Sequence, residues 1–408
     1  MSSENVIGIV ELGNINIKCL IFKTDNNESK VLSEAITPSD GFHNDSVVNL
    51  AKASNSIRVC ISHAEKKANI SLKKISVLFE QPEFLCTKFS KRIKIDGSQI
   101  QKDDIEFLLK EGKRQLILND IKQSLIHIFN YNYIVDGKEF HEEPIGVYAD
   151  SLSHEITFIT APKNSLKNIK KVFIDCDIEI ERLISRTFAL GVETLNNKEL
   201  EFGSSIINLE VEKTSIGLFK NFALAHSATF PIGINHIAKD IAQVCSLNLD
   251  ESQAIVNDID FSFTNNQKIF DKNDYLKNSY FIKSSFRKIS KSLIYNIIKA
   301  RLDEICDKLK KQLIVPGFKY ISGASFLLAG DGSDLLNIDN FFVNLFGPNV
   351  KKIEKNNFKS EVGLEKNLAS CFGALKIIKE GWETEAIPKK NVENIEKISL
   401  FERFFKIH

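Results

Sequence analysis

Val6-Ile-Gly-Ile-Val-Glu-Leu-Gly-Asn-Ile-Asn-Ile-Lys-Cys-Leu-Ile-Phe22 opens the chain with two apolar runs on either side of a turn at Gly13. Runs rich in Val and Ile flanking a Gly-Asn pair read as a β-hairpin. A second stretch echoes it: Ser204-Ser-Ile-Ile-Asn-Leu-Glu-Val-Glu-Lys-Thr-Ser-Ile-Gly-Leu-Phe219. Each hairpin opens one half of the chain. That placement predicts a duplicated α/β fold rather than a short-period repeat. A third stretch, Ser325-Phe-Leu-Leu-Ala-Gly330, reads as a buried strand running into a turn at Asp331-Gly332.

Between these landmarks, apolar periodicity predicts helices over 49–69, 102–119, 165–173, 184–196, 234–245, 251–258 and 368–380. A long amphipathic helix is predicted over 274–313. Strands are predicted over 75–80, 91–95, 131–136 and 154–160.

A chain of 408 residues exceeds one hydrophobic core, so two domains or more are expected. The net charge of +1 gives no global field to gather nucleic acid or membrane, so any lipid attraction must be local. The seven Cys are scattered and none forms a CxxC pair, which reads as reduced thiols. The first residues carry no signal-peptide pattern, and no apolar run approaches a membrane span. The eight His form no metal-spaced cluster. There is no HExxH, no nucleophile elbow, no Walker A loop and no GxGxxG after a strand. No catalytic residue and no metal ligand is therefore nominated. The Lys-rich stretches at 308–311 and 351–359 have too few interleaved aromatics for nucleic-acid binding and read as solvated faces.

The last fifteen residues, Asn394-Ile-Glu-Lys-Ile-Ser-Leu-Phe-Glu-Arg-Phe-Phe-Lys-Ile-His408, form an amphipathic helix pattern. At 100° per residue, Ile398, Leu400, Phe401, Phe404, Phe405 and Ile407 share an arc of roughly 180°. Ser399, Glu402, Arg403 and Lys406 fall opposite. A polar tether at 383–393 with Pro388 precedes it. Such a helix suits the plane of a membrane, with Arg403 and Lys406 meeting anionic headgroups. The alternative is a terminal helix docked on the protein's own core.

Each of the three turns ends a strand, where backbone N–H groups can face a phosphate. An ordinary β-turn is the competing reading for any one of them. Taken in order, they resemble the actin/hexokinase superfamily, and within it the FtsA family of bacterial division proteins. Ile7-Gly-Ile-Val-Glu-Leu-Gly13 is similar to the family's first phosphate motif. Thr37-Pro-Ser-Asp-Gly41 with Asp45-Ser-Val-Val-Asn49 is similar to its next segment. His127-Ile-Phe-Asn-Tyr-Asn-Tyr-Ile-Val-Asp136 and Glu143-Pro-Ile-Gly146 resemble its inserted SHS2 subdomain. Ile297-Ile-Lys-Ala-Arg-Leu-Asp-Glu-Ile305 resembles the helix that receives the tail of FtsZ.

The resemblance implies an α/β, actin-like (ribonuclease H-like) duplicated fold. The first lobe is expected at 1–80 and 161–200, and the SHS2-type insert at 81–160. The second lobe is expected at 201–382, with a helical subdomain near 234–315. A linker at 383–394 and a membrane-targeting helix at 395–408 complete the layout. It implies nucleotide contacts at Gly13, Asn14, Asn16, Lys213, Gly330 and Gly332, with ATP and Mg²⁺ as possible cofactors. It also implies an FtsZ-tail contact at Arg301 and Glu304, self-assembly into filaments, an anionic membrane surface and other divisome proteins as partners, and a place at the division septum on the cytoplasmic side of the inner membrane.

The departures from the pattern concern the phosphate loops. The family's second loop reads Asp-Ile-Gly-Gly-Gly-Thr-x-Asp. Here those positions are Asn208 to Ser215, and every Gly and both Asp are gone. Bulkier residues hinder close backbone approach, and Glu210 and Glu212 bring like charge toward any phosphate. The expectation is a membrane tether for FtsZ filaments with weak or absent ATP binding, at most a very weak ATPase. A working ATP-dependent actin homologue is the alternative, and a sugar or acetate kinase of the superfamily a third.

Overall fold

The computed structural model describes residues 5–25, 28–261, 274–314, 325–353 and 368–379. The chain begins with strands β1 (Asn5–Glu11), β2 (Asn16–Thr24) and β3 (Ser29–Pro38), then a minimal pair, β4 (Phe42–His43) and β5 (Ser46–Val47). Helix α1 (Leu50–Ala68) follows, started by the Asn49 side chain accepting from the Lys52 amide. It is stopped by Asn69 in the left-handed region, φ 53°. Next come β6 (Lys74–Phe79) and an inserted block: β7 (Leu85–Gln99), α2 (Lys102–Asn119), β8 (Gln123–Val135), β9 (Lys138–Phe140) and β10 (Tyr148–Pro162). The chain then runs through α3 (Lys163–Ile174), β11 (Glu179–Ser185), α4 (Arg186–Thr194) and α5 (Asn197–Phe202).

The second half contains β12 (Ser204–Leu209), β13 (Thr214–Lys220), β14 (Ala223–Phe230), α6 (Ile234–Cys245), α7 (Leu249–Asp258) and α8 (Lys291–Leu313). It ends with β15 (Ser325–Ala329), α9 (Ile338–Phe346), β16 (Val350–Lys352) and α10 (Ala369–Lys379).

The duplication is visible in the sheets. One sheet has the order β3-β2-β1-β6-β11 and the other β14-β13-β12-β15-β16. In each, the opening strand of a hairpin pairs in parallel with a later strand: β1 with β6, and β12 with β15. The outermost strand adds in parallel too, β11 on β6 and β16 on β15. This is the two-domain actin-like arrangement, with a four-stranded insert of order β7-β10-β8-β9.

Two compact units divide the contacts. Of the described residues, one holds those within 1–203 and 217–228 and those from Leu368; the other holds those within 204–216 and 229–353. The single lobe expected over 201–382 therefore does not coincide with one unit. Strands β13 and β14 fall partly in each, and α10 belongs with the first unit, where Gly373 lies against the Ala189 backbone of α4. A Cβ on Gly373 would sit 1.9 Å from the Ala189 carbonyl oxygen, so only glycine permits that approach.

Three expectations need correcting. The helix predicted over 274–313 begins only at Lys291, capped by the Ser290 hydroxyl, which accepts from the Leu293 amide. Residues 274–290 instead loop back, with the Leu276 amide donating to the Ile289 carbonyl. The Glu251 carboxylate fastens this loop by accepting from the Lys283 and Ser284 amides at 2.7 and 2.8 Å. The helix predicted over 184–196 is strand through Ser185, because Ile184 and Ser185 pair with Leu78 and Phe79. The short strands predicted at 91–95 and 154–160 lie inside strands of 15 residues, and 131–136 takes in only the last five residues of a 13-residue strand and the Asp136 beyond it. Strand β7 lies at a sheet edge, so charged residues occupy both of its faces and mask the alternation.

Inside the insert, His154 is buried and stacked on Tyr133 with ring centroids 4.3 Å apart. Burial lowers its pKa from the usual 6.5 to about 3. The neutral imidazole is thus the folded form. Its contribution is intact above pH 6.5 and is lost as pH falls toward 3. His154→Phe keeps the stack and removes the proton linkage. Between pH 7 and 4.5, urea unfolding of the wild type should lose about 2–3 kcal/mol more than that of the variant. Parallel loss in both proteins would mean that His154 is not the titrating group.

Candidate functional site

In the first unit the hairpin turn carries the residues nominated for phosphate. Asn14 is turned inward to Asn44: its Nδ2 donates to Asn44 Oδ1 at 3.1 Å and its Oδ1 accepts from the Asn44 amide at 2.5 Å. Asn16 is exposed at the start of β2. Gly13 is needed by the turn itself, since a Cβ there would lie 2.6 Å from the Asn16 carbonyl oxygen.

Behind the turn lies a buried ionic network that inspection of the sequence did not single out. Glu11, at the end of β1, accepts from Lys18 Nζ at 2.9 Å and from the Ser370 hydroxyl of α10. Arg186, the first residue of α4, sits 3.7 Å from the same carboxylate. Its Nη2 donates to Asp45 Oδ2 at 2.7 Å and to the Leu12 carbonyl. Asp45 also accepts from the Glu80 amide at 2.9 Å. Glu80 in turn takes the Ser185 hydroxyl at 2.8 Å and the Thr187 amide at 2.9 Å. Burial pushes the Glu11 carboxyl up, but Lys18 and Arg186 outweigh it and hold it below its usual range. The same pairing raises Lys18 against the pull of burial. Three protein groups, from Lys18, Arg186 and Ser370, thus already engage the Glu11 carboxylate.

In the second unit the loop between β12 and β13 closes on itself. The Glu210 amide donates to the Lys213 carbonyl at 2.9 Å, and Asn208 Nδ2 donates to Glu210 Oε1 at 2.6 Å. The Lys213 side chain is wholly buried with its ammonium 3.7 Å from Glu210 Oε2. It is therefore committed to the loop's own acid rather than extended to a ligand. The first amides of α6 are used as well: Ile234 donates to the Glu210 carbonyl at 3.0 Å and Asn235 to the Val211 carbonyl at 2.9 Å. Helix N-terminal amides that would serve an anion are thus satisfied by the loop. Gly233 permits this contact, since a Cβ there would be 2.3 Å from the Glu210 carbonyl oxygen.

The third turn packs onto the second. Gly330 has φ +80°, and a Cβ on it would meet the Leu209 carbonyl oxygen at 2.5 Å. Gly332 is crowded by the Leu209 and Ile234 side chains. The structure thus brings Lys213, Gly330 and Gly332 around one loop, where packing alone accounts for both glycines. The donor set fits Mg-ATP poorly: committed cations, used amides and two loop carboxylates.

The nominated partner residues lie on α8. Arg301 forms a two-pronged pair with Asp240 of α6, Nε to Oδ2 at 2.7 Å and Nη2 to Oδ1 at 2.9 Å. Its Nη1 also donates to Glu304. Arg301 is thus held in one pose, part-buried, with Glu304 beside it. The membrane-directed residues Ile398, Leu400, Phe401, Arg403, Phe404, Phe405 and Lys406 lie outside the described residues. Among the described residues no helix is long and apolar enough to cross a membrane.

Residues 84–160 match the family model of the SHS2 domain inserted in FtsA. Proteins called cell division protein FtsA align along most of the chain. That of Agrobacterium fabrum is 20% identical, over 85% of this chain and 81% of its own length. That of Streptococcus pneumoniae is 22% identical, over 89% and 80%. That of Buchnera aphidicola is 22% identical, over 96% and 95%. Among solved structures, the type IV pilus PilM–PilN complex superposes with a TM-score of 0.61 at 13% identity, covering 92% of this chain and 99% of that one. MreB5 of Spiroplasma citri bound to AMPPNP gives 0.54 at 12%, covering 92% and 96%. These structures share the fold. The inserted domain and the alignments along most of the chain make this protein similar to the cell division proteins called FtsA, built on an actin-like fold.

Proposed function

We propose that this protein tethers FtsZ filaments to the cytoplasmic face of the inner membrane and helps recruit the divisome, with weak or absent ATP binding. The 395–408 helix supplies the lipid contact and Arg301 with Glu304 the FtsZ-tail contact. Each tail binds lipid reversibly, and self-assembly makes the attachment firm through avidity. The observation that carries the nucleotide part is the engagement of Glu11 by Lys18, Arg186 and Ser370. The closed loop at 210–213 supports it.

Direct titration of the full chain with a fluorescent ATP analogue, with Mg²⁺ present and unlabelled ATP as competitor, tests this. No competable binding is expected up to millimolar ATP. Competable binding at micromolar concentration or tighter would establish the other reading, an ATP-regulated polymer.

A further inference from the structure

Helix α6 touches the second loop on one side and the partner helix on another. Asn235 Nδ2 donates to Glu212 Oε1, and Lys239 Nζ reaches both Glu212 oxygens at 2.8 and 3.2 Å. Gln253 of α7 adds a bond to Asn235 Oδ1 at 3.1 Å. One residue beyond Lys239, Asp240 grips the Arg301 guanidinium. His236 sits in the field of both Lys239 and Arg301 and accepts from the Gly233 amide at 3.1 Å. The contacts from the loop and those to Arg301 therefore meet on adjacent residues of α6, Lys239 and Asp240, which the helix backbone holds together.

Glu212 supplies an anion at the first turn of α6, where the helix dipole favours one. Because it belongs to the chain, its effective concentration at Lys239 does not depend on any solute. A free phosphate shifts an equilibrium only by binding one state better than another. Where the loop carboxylate already holds α6, little remains for a phosphate to select.

We propose that Glu212 is an internal anion that fixes α6 through Asn235 and Lys239 and so sets the pose of Arg301 through Asp240, in place of a bound nucleotide. Glu212, Asn235 and Lys239 are positioning residues, and this inference rests on the reading of Arg301 as the FtsZ-tail contact. The test uses the full chain. Glu212→Gln keeps the side-chain shape and removes the charge; Glu212→Asp keeps the charge. Amide hydrogen exchange is followed in α8, and a synthetic FtsZ C-terminal peptide is titrated.

Glu212→Gln should speed exchange around 297–304 and weaken the peptide by about three- to thirtyfold. Glu212→Asp should recover part of both. Combined with Asp240→Asn, Glu212→Gln should add no further loss of affinity, because both act through one contact. Faster exchange confined to 210–213 and the first turn of α6 would overturn the relay. So would a double variant whose losses multiply. If the wild type ignores the peptide, the tail reading falls, while the exchange in α8 still decides whether the loop and α8 are coupled.

Discussion

Arg186→Met is expected to destabilise the first unit by about 3–5 kcal/mol, the cost of leaving a buried charge without its partner. Arg186 is 5% exposed and Asp45 fully buried, so water cannot replace the lost contact. Methionine fills the volume of the aliphatic stem but returns nothing to Asp45, to Glu11 or to the Leu12 carbonyl. Asp45 keeps the Glu80 amide and Glu11 keeps Lys18, which is why the loss should stay near this range. Adding Asp45→Asn should recover part of the loss, since the orphaned charge is then gone. Urea unfolding at pH 7 measures both. A loss below about 1 kcal/mol, the level of an exposed pair, would mean that the network is solvated and is not what holds the turn. Mg-ATP should leave the unfolding midpoint where it is. A ligand stabilises a fold only as far as it binds the folded state, and here the acid at the end of β1 is already engaged by the chain.

The hairpins were legible because they combine short apolar runs with a turn, both local signals. Helix α2 was read with its observed bounds and α1 with its two Asn caps at either end, because caps and 3.6-residue periodicity lie in contiguous residues. The loop at 274–290 was misread as helix because it is held by a tertiary contact. Its amides go to Glu251, some 30 residues away, and propensity cannot see that. The site divides in the same way. The loss of glycine from the second loop is written in the sequence, and so is the approach of Glu210 and Glu212. The clamp on Glu11 is not, because Lys18, Arg186 and Ser370 are brought to it from three separate parts of the chain. A buried Arg at the start of a helix has no sequence signature that sets it apart from an exposed one. Arg301 and Glu304 were visible as a pair one turn apart, but the stronger partner, Asp240, belongs to another helix.

Phe401→Glu together with Phe404→Glu should release the protein from anionic liposomes in co-sedimentation. Burying a Phe side chain contributes about 1.5–3 kcal/mol, so losing two removes roughly 3–6 kcal/mol of attachment. Each added carboxylate is also repelled by anionic headgroups, and its desolvation further opposes insertion. A tail that binds reversibly as a monomer has little to spare, so a fall of about a hundredfold or more in partitioning follows. The basic residues Arg403 and Lys406 remain in the variant, so whatever binding survives reports the electrostatic share alone and should vanish as salt is raised. Neutral liposomes separate the two contributions, since the wild type should retain apolar binding there and the variant none. The docked-tail alternative predicts a different result. If the apolar arc covers the protein's own core, the double Glu variant loses folding stability while liposome binding, weak in both proteins, does not change.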